Sequence, residues 1–175
     1  MTLMVLAVGA SNVALAFFGQ RLPPAPKQPI RFSHRIHAGT LGIGCTACHA
    51  YAEQGPVAGI PSVARCRGCH KFVKSDPGDP ALNAELEQLS RKLDEGTPIE
   101  WVRVHRVPDH VFFTHRRHVR SGVSCRDCHG DVETMEAVHQ VSPLNMGWCL
   151  DCHRRKQSER PAERAYLTEC STCHK

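Results

Sequence analysis

Three stretches of the chain carry a regular pattern of hydrophobic and polar positions, and long passages between them carry none. Residues Thr2 to Gly19 hold no charged side chain, and only Thr2, Ser11 and Asn12 interrupt the apolar run. Eighteen residues just reach the length that crosses a bilayer, so the run predicts a transmembrane anchor over residues 1–20. Ala14-Leu15-Ala16 has the small-residue character of a signal cleavage site, but no basic residue precedes the run, which favours an uncleaved anchor. The second pattern starts at Asp79, a good N-cap, with Pro80 at the first helical position. Leu82, Leu86, Leu89 and Leu93 then mark one helical face, Glu87 and Arg91 sit in the favourable i, i+4 order, and Gly96 closes the helix. Such a helix is expected to lie over the core rather than to serve as a docking helix for a partner. The third pattern, Ile99 to His105, alternates apolar and polar residues and predicts a short extended segment.

Between the anchor and the rest lies a linker, residues 21–31, with prolines at 23, 24, 26 and 29. It reads as a semi-rigid, polyproline-like spacer. Gly55-Pro56 and Ile60-Pro61 mark loop, and the polar stretch from Arg154 to Arg164 reads as solvated.

Aromatic residues make up 6% of the 175 residues, beside 12 Pro and 13 Gly, which excludes a large conventional core. Something other than side chains must fill the interior. The ten cysteines say what. They fall as Cys45/Cys48, Cys66/Cys69, Cys125/Cys128, Cys149/Cys152 and Cys170/Cys173, always two residues apart and always followed by histidine: His49, His70, His129, His153 and His174. A disulfide framework requires neither the fixed spacing nor the histidine, and a zinc ribbon has no use for a histidine after each pair. Cys-x-x-Cys-His is the attachment motif of c-type haem: two thiols form thioethers and the histidine becomes an axial ligand. The expectation is five covalently bound haem c, which themselves form the core of residues 32–175. The fold class expected is small, loop-rich and mainly α, with irregular backbone wrapped around five haems, plus the one N-terminal transmembrane helix.

The formal charge of +5 is no nucleic-acid signal. Haem propionates offset it, and arginine forks suit them as partners, although a basic surface patch accounts for the charge equally well.

Twelve histidines less five leaves seven candidates for the opposite side of each iron. Four come as two matched units, Phe32-Ser33-His34-Arg35-Ile36-His37 and Phe113-Thr114-His115-Arg116-Arg117-His118, each upstream of its own Cys-x-x-Cys-His. Seven residues separate the first unit from Cys45 and six separate the second from Cys125. Neutral imidazole ligates iron well, and two histidines three apart on one turn can serve two different haems. The fifth iron is left with Met146, His105, His110 or His139; Met146 is preferred, since a thioether just before a haem motif would give one haem of higher potential. Ligands outnumber irons, which argues against an open catalytic haem.

The two Phe-x-His-x-x-His units resemble the class III multihaem cytochromes. Trp101-Val102-Arg103-Val104-His105, Pro108-Asp109-His110-Val111-Phe112-Phe113 and Met146-Gly147-Trp148-Cys149-Leu150-Asp151-Cys152-His153, with five haem motifs and one anchor, resemble the pentahaem cytochrome subunit of alternative complex III. The likeness covers roughly residues 30–174, and the chain departs from it in lacking a basic residue ahead of the anchor. The resemblance implies an electron-transfer subunit, not itself an enzyme, in a respiratory or photosynthetic quinol-oxidising complex. It implies a single-pass placement in a bacterial cytoplasmic membrane with the haem domain on the periplasmic side. Implied partners are an iron–sulfur subunit of molybdopterin-oxidoreductase type, integral quinol-binding subunits, often a monohaem cytochrome c, and a soluble electron acceptor or oxidase. The alternative is an independent anchored carrier feeding a periplasmic reductase.

Overall fold

The computed structural model describes residues 22–73, 78–162 and 164–175. The expected anchor over residues 1–20 lies outside them. Among the described residues no helix is long and apolar enough to cross a membrane.

Short helices punctuate irregular backbone. In chain order they are α1 (Cys45–Cys48), α2 (Val63–His70), α3 (Pro80–Glu95), α4 (His115–Arg120), α5 (Cys125–His129), α6 (Met146–Glu159) and α7 (Cys170–Cys173), with a π-turn at Arg35–Thr40 and 3₁₀ turns at Val132–Thr134 and Ala165–Thr168. The Cys-x-x-Cys of every motif lies in helix, which brings its two thiols to neighbouring positions on one turn. Among the described residues the extended pairing is one isolated antiparallel bridge, Val111 to His174.

α3 forms as its pattern predicts. The Asp79 side chain accepts from the Leu82 N–H at 2.9 Å, and Gly96 ends the helix at φ 68°, a left-handed conformation that glycine adopts without strain. Leu89 and Leu93 are buried against Ile30, with Val63, Cys66, Ile99 and Trp101 packed around them. Each fully buried leucine contributes about 1.5–3 kcal/mol. The cluster is small, and no described side chain is completely buried. It nonetheless holds α2: Arg67, next to Cys66, donates to the Leu93 carbonyl and pairs with Asp94 at 3.7 Å.

The end of the Pro-rich stretch belongs to this cluster, since Ile30 is buried in it. The Gln28 amide donates to the Val102 carbonyl and accepts from the Val102 N–H, both at 2.9 Å. The expected extended segment at 99–105 therefore forms no strand; a side-chain amide satisfies its backbone as a neighbouring strand would. The stretch from Arg154 to Glu159, read as solvated, continues α6, and Glu159 accepts from both Lys156 and Arg164 at 3.0 Å.

The two histidine units differ by one residue, and the backbone absorbs it. In the second, α4 is followed by a Val123 N–H to His118 carbonyl bond of 3.1 Å. In the first, Ile43 N–H bonds the His37 carbonyl at 3.0 Å, one residue further on. The extra residue widens the turn to π, with Leu41 N–H reaching back five residues to Ile36 at 2.9 Å. The π-turn packs on the turn at Val132–Thr134, where Gly39 faces the Glu133 carbonyl so closely that a Cβ would overlap it. Gly39→Ala is expected to lower stability by about 1–3 kcal/mol. Gly44→Ala, where a Cβ meets nothing within 4 Å, should leave the thermal midpoint of the holoprotein unchanged.

Candidate haem sites

The histidine units are built alike. Phe32 stacks on His37 (ring centroids 4.3 Å apart, planes at 20°) and meets His34 edge-on at 4.8 Å. Phe113 stacks on His118 (4.7 Å, 28°) and meets His115 edge-on at 4.8 Å. One aromatic ring thus orients two imidazoles at right angles to each other. The second imidazole of each unit hydrogen-bonds the backbone four residues back, His37 Nδ1 to the Ser33 carbonyl (2.8 Å) and His118 Nδ1 to the Thr114 carbonyl (2.9 Å). His115 Nδ1 engages the Pro56 carbonyl at 2.9 Å, which docks α4 on the loop behind the first Cys-x-x-Cys-His.

Two of the motif histidines follow the same rule. His49 Nδ1 engages the Gly59 carbonyl at 2.6 Å and His153 Nδ1 the Leu167 carbonyl at 2.9 Å. A carbonyl can only accept, so each of these rings carries its proton on Nδ1 and keeps the Nε2 lone pair free. Nδ1 of His34 and of His70 is buried with no hydrogen-bond partner. Such orphaned atoms are rare in folded proteins.

Motif and non-motif histidines then come together in pairs. His37 faces His70 (6.0 Å, 25°), His115 faces His129 (6.3 Å, 5°), His118 faces His153 (6.2 Å, 22°) and His110 faces His174 (5.4 Å, 21°). His34 lies near enough to His49 for their charges to interact. Two imidazoles on opposite sides of one metal ion, each with nitrogen roughly 2 Å from it, have centroids roughly 6 Å apart. The last pair is set by backbone: the Val111–His174 bridge and a 2.7 Å bond from Phe112 N–H to the Cys173 carbonyl. Met146 opens α6 with its side chain 66% exposed. His139 is exposed, and His105 contacts His129 rather than pairing across a gap.

Burial lowers three of these imidazoles and favours their neutral form. His34 falls to about 4 through burial, then His49 and His37. His129 falls to about 4 through burial, then His105, His115 and His49. His70 is lowered by burial and His37.

The thiols reveal which motifs are neighbours. Burial, then Cys48, pushes Cys66 up. Cys125 is raised by burial and by Cys45, with which it shares a hydrogen bond. Cys128 is pushed up to about 11 by burial, then Asp127, Cys152 and Cys149. Cys149 is raised by burial, then Cys173. Numbering the motifs along the chain, these contacts order them in space as second, first, third, fourth, fifth. No disulfide joins any of the ten cysteines, and among the described residues no three His, Cys, Asp or Glu side chains converge as a metal-ion site.

Cys45, Cys69, Cys125 and Cys170 are exposed and the other six cysteines half-buried. At Cys69 the exposure follows from how α2 packs. Val63 and Cys66, one turn apart, rest on the leucine cluster. Cys69 comes a further turn along, where the helix is ending and its carbonyl accepts from the Phe72 N–H at 3.0 Å. Phe72 beside it is 73% exposed, so this end of α2 faces solvent. The second motif also stands at one end of the row. A thioether role for Cys69 therefore rests on its place in Cys66-Arg67-Gly68-Cys69-His70, not on enclosure.

The description "cytochrome c7 and related cytochrome c" matches residues 111–175. Over 188 aligned positions the chain is 30% identical to the multihaem cytochrome c subunit of menaquinone reductase from Nitratidesulfovibrio vulgaris, covering 93% of this chain and 86% of that protein. The chain belongs to the multihaem cytochrome c family. Multiple covalent haem c groups follow from that membership and from the paired cysteines. The residues of this multihaem cytochrome fit such groups: thiol pairs on single turns, imidazoles facing each other across metal-sized gaps, and Nε2 left free. Sequence reasoning named His110 only as an alternative, because nothing in the sequence marks its closeness to His174, sixty-four residues away.

Replacing Phe113 by Leu removes the ring that stacks on His118. A loss of about 0.5–1.5 kcal/mol is expected beyond the area term, read as a lower thermal midpoint of the holoprotein, with Phe32→Leu behaving alike.

Proposed function

We propose that the chain binds five haem c groups and serves as the electron-transfer subunit of a membrane quinone oxidoreductase complex. Attachment falls to Cys45/Cys48, Cys66/Cys69, Cys125/Cys128, Cys149/Cys152 and Cys170/Cys173. The axial pairs are His34/His49, His37/His70, His115/His129, His118/His153 and His110/His174. The observation that carries this reading is the set of four facing imidazole pairs, with His34 close to His49 as the fifth. His110 is proposed for the fifth iron in place of Met146 because its ring faces that of His174.

Bound haem supplies one-electron redox chemistry. The chain's own residues do the rest. Each histidine unit serves two neighbouring motifs, His34 and His37 the first and second, His115 and His118 the third and fourth. One rigid turn therefore fixes two sites relative to each other. Contact between Cys45 and Cys125 joins the two halves at the first and third motifs. With a histidine pair to hold each iron, no position would remain for substrate, which supports relay rather than catalysis by this subunit.

Quinone reduction is the direction we favour, on the name of the similar subunit from Nitratidesulfovibrio vulgaris. Electrons then enter from a soluble periplasmic donor and leave to partner subunits at the membrane. Quinol oxidation is the second reading. Trp101-Val102-Arg103-Val104-His105 and Met146-Gly147-Trp148-Cys149, which resemble the alternative complex III subunit, favour it; partners are then the iron–sulfur and integral quinol-binding subunits of that complex.

Purification in mild detergent should yield a multisubunit assembly whose reduced haems reoxidise on adding a menaquinone analogue. Isolation of a lone polypeptide would sink the subunit reading, and haems reduced by the quinol but not reoxidised by the quinone would favour the second direction. His110→Ala should convert one low-spin ferric haem to high spin by EPR. Met146→Ala should leave the EPR spectrum as in wild type; the opposite pair of results assigns the fifth iron to Met146.

A further inference from the structure

Ten histidines enter the proposed axial pairs, and His105 is one of the two that do not. Its position is specific. The hydrogen-bonded Nδ1 atoms of His37, His49, His115, His118 and His153 all meet backbone carbonyls at 2.6–2.9 Å. His129 differs: its Nδ1 lies 3.3 Å from His105 Nε2, the rings perpendicular at 86° and 4.4 Å apart. The other face of His129 meets His115.

If His129 ligates through Nε2, the ring proton sits on Nδ1 and can only be donated. His105 must then present a lone pair, which requires the neutral tautomer with its own proton on Nδ1. An imidazole nitrogen is a stronger base than an amide carbonyl. By accepting the His129 proton it draws that proton from the ring and makes the axial nitrogen a better donor to ferric iron. Second-shell hydrogen bonding of this kind sets haem potential.

We propose that His105 is a positioning residue for the third motif, accepting a hydrogen bond from His129 Nδ1–H and thereby lowering the potential of the haem held at Cys125 and Cys128. The inference rests on the axial role of His129 given above. The third motif is the middle of the spatial row, so the effect falls on the haem that every electron crossing the row must visit. His105 thereby places an energetic step at the centre of the relay, which favours oxidised haem there and limits back-to-back filling of the two halves.

Redox titration of the detergent-purified holoprotein tests this. In His105→Phe one of the midpoint potentials should rise by a tenfold change in the oxidised-to-reduced ratio, about 59 mV for one electron, with the others fixed and all haems low-spin. His105→Gln keeps an acceptor oxygen and should shift the same haem by a smaller amount. An unchanged titration in the Phe variant overturns the proposal, as does a Gln variant shifted as far as Phe, or a new high-spin signal that makes His105 an iron ligand. Should the Phe variant fail to accumulate, an upward shift in the Gln variant supports the proposal and an unchanged one overturns it. The wild-type haem count and spin state test the axial reading separately: fewer than five haems, or a high-spin haem in wild type, would count against that reading alone.

Discussion

Imidazole orientation is the constraint on which the rest of this structure depends. A histidine ring turns freely about its side-chain bonds unless both faces and one nitrogen are held. Here a phenylalanine stacks on one ring of each unit and edges the other, while backbone carbonyls take up Nδ1 at 2.6–2.9 Å in five rings. What remains is a lone pair on Nε2, free to bind a metal. Short helices and irregular loops suffice for such a protein because their task is to deliver carbonyls and aromatic rings to set points. Continuous secondary structure is not needed for that.

The small side-chain core follows from the same division of labour. Ile30, Leu89 and Leu93, with Trp101 and Ile99 against them, anchor the second motif to α3 through Cys66, while Cys69 is left outside. Among the described residues little else is buried. The remaining apolar bulk is assigned to the covalently held groups, in keeping with a chain of 6% aromatic residues. Burial in turn keeps His34 and His129 neutral, both near 4, and a neutral imidazole is the form that binds metal.

The two matched units show how the arrangement tolerates sequence change. One added residue between His37 and Cys45 widens a turn to π, and the hydrogen bond after it closes on the same carbonyl. The imidazoles therefore keep their relation to the attachment motif while the loop length varies. The price of the wider turn is local: Gly39 must stay small beneath the Glu133 carbonyl.

Much of this was written in the sequence, because covalent chemistry is local. Two thiols and a histidine within five residues can be recognised without any fold, and so can α3, whose cap, leucine face and terminal glycine all lie within eighteen residues. The His-x-x-His units were legible for the same reason. The long-range pairings were not. His110 meets His174 only because Val111 bridges it and Phe112 bonds Cys173, and Cys45 meets Cys125 only because α4 docks on the Gly55-Pro56 loop. Neither contact leaves a trace in composition, spacing or periodicity. The sequence by itself determined which groups can hold haem; tertiary structure decided which imidazole faces which, and hence the order of the row, since that order depends on contacts between residues far apart in the chain.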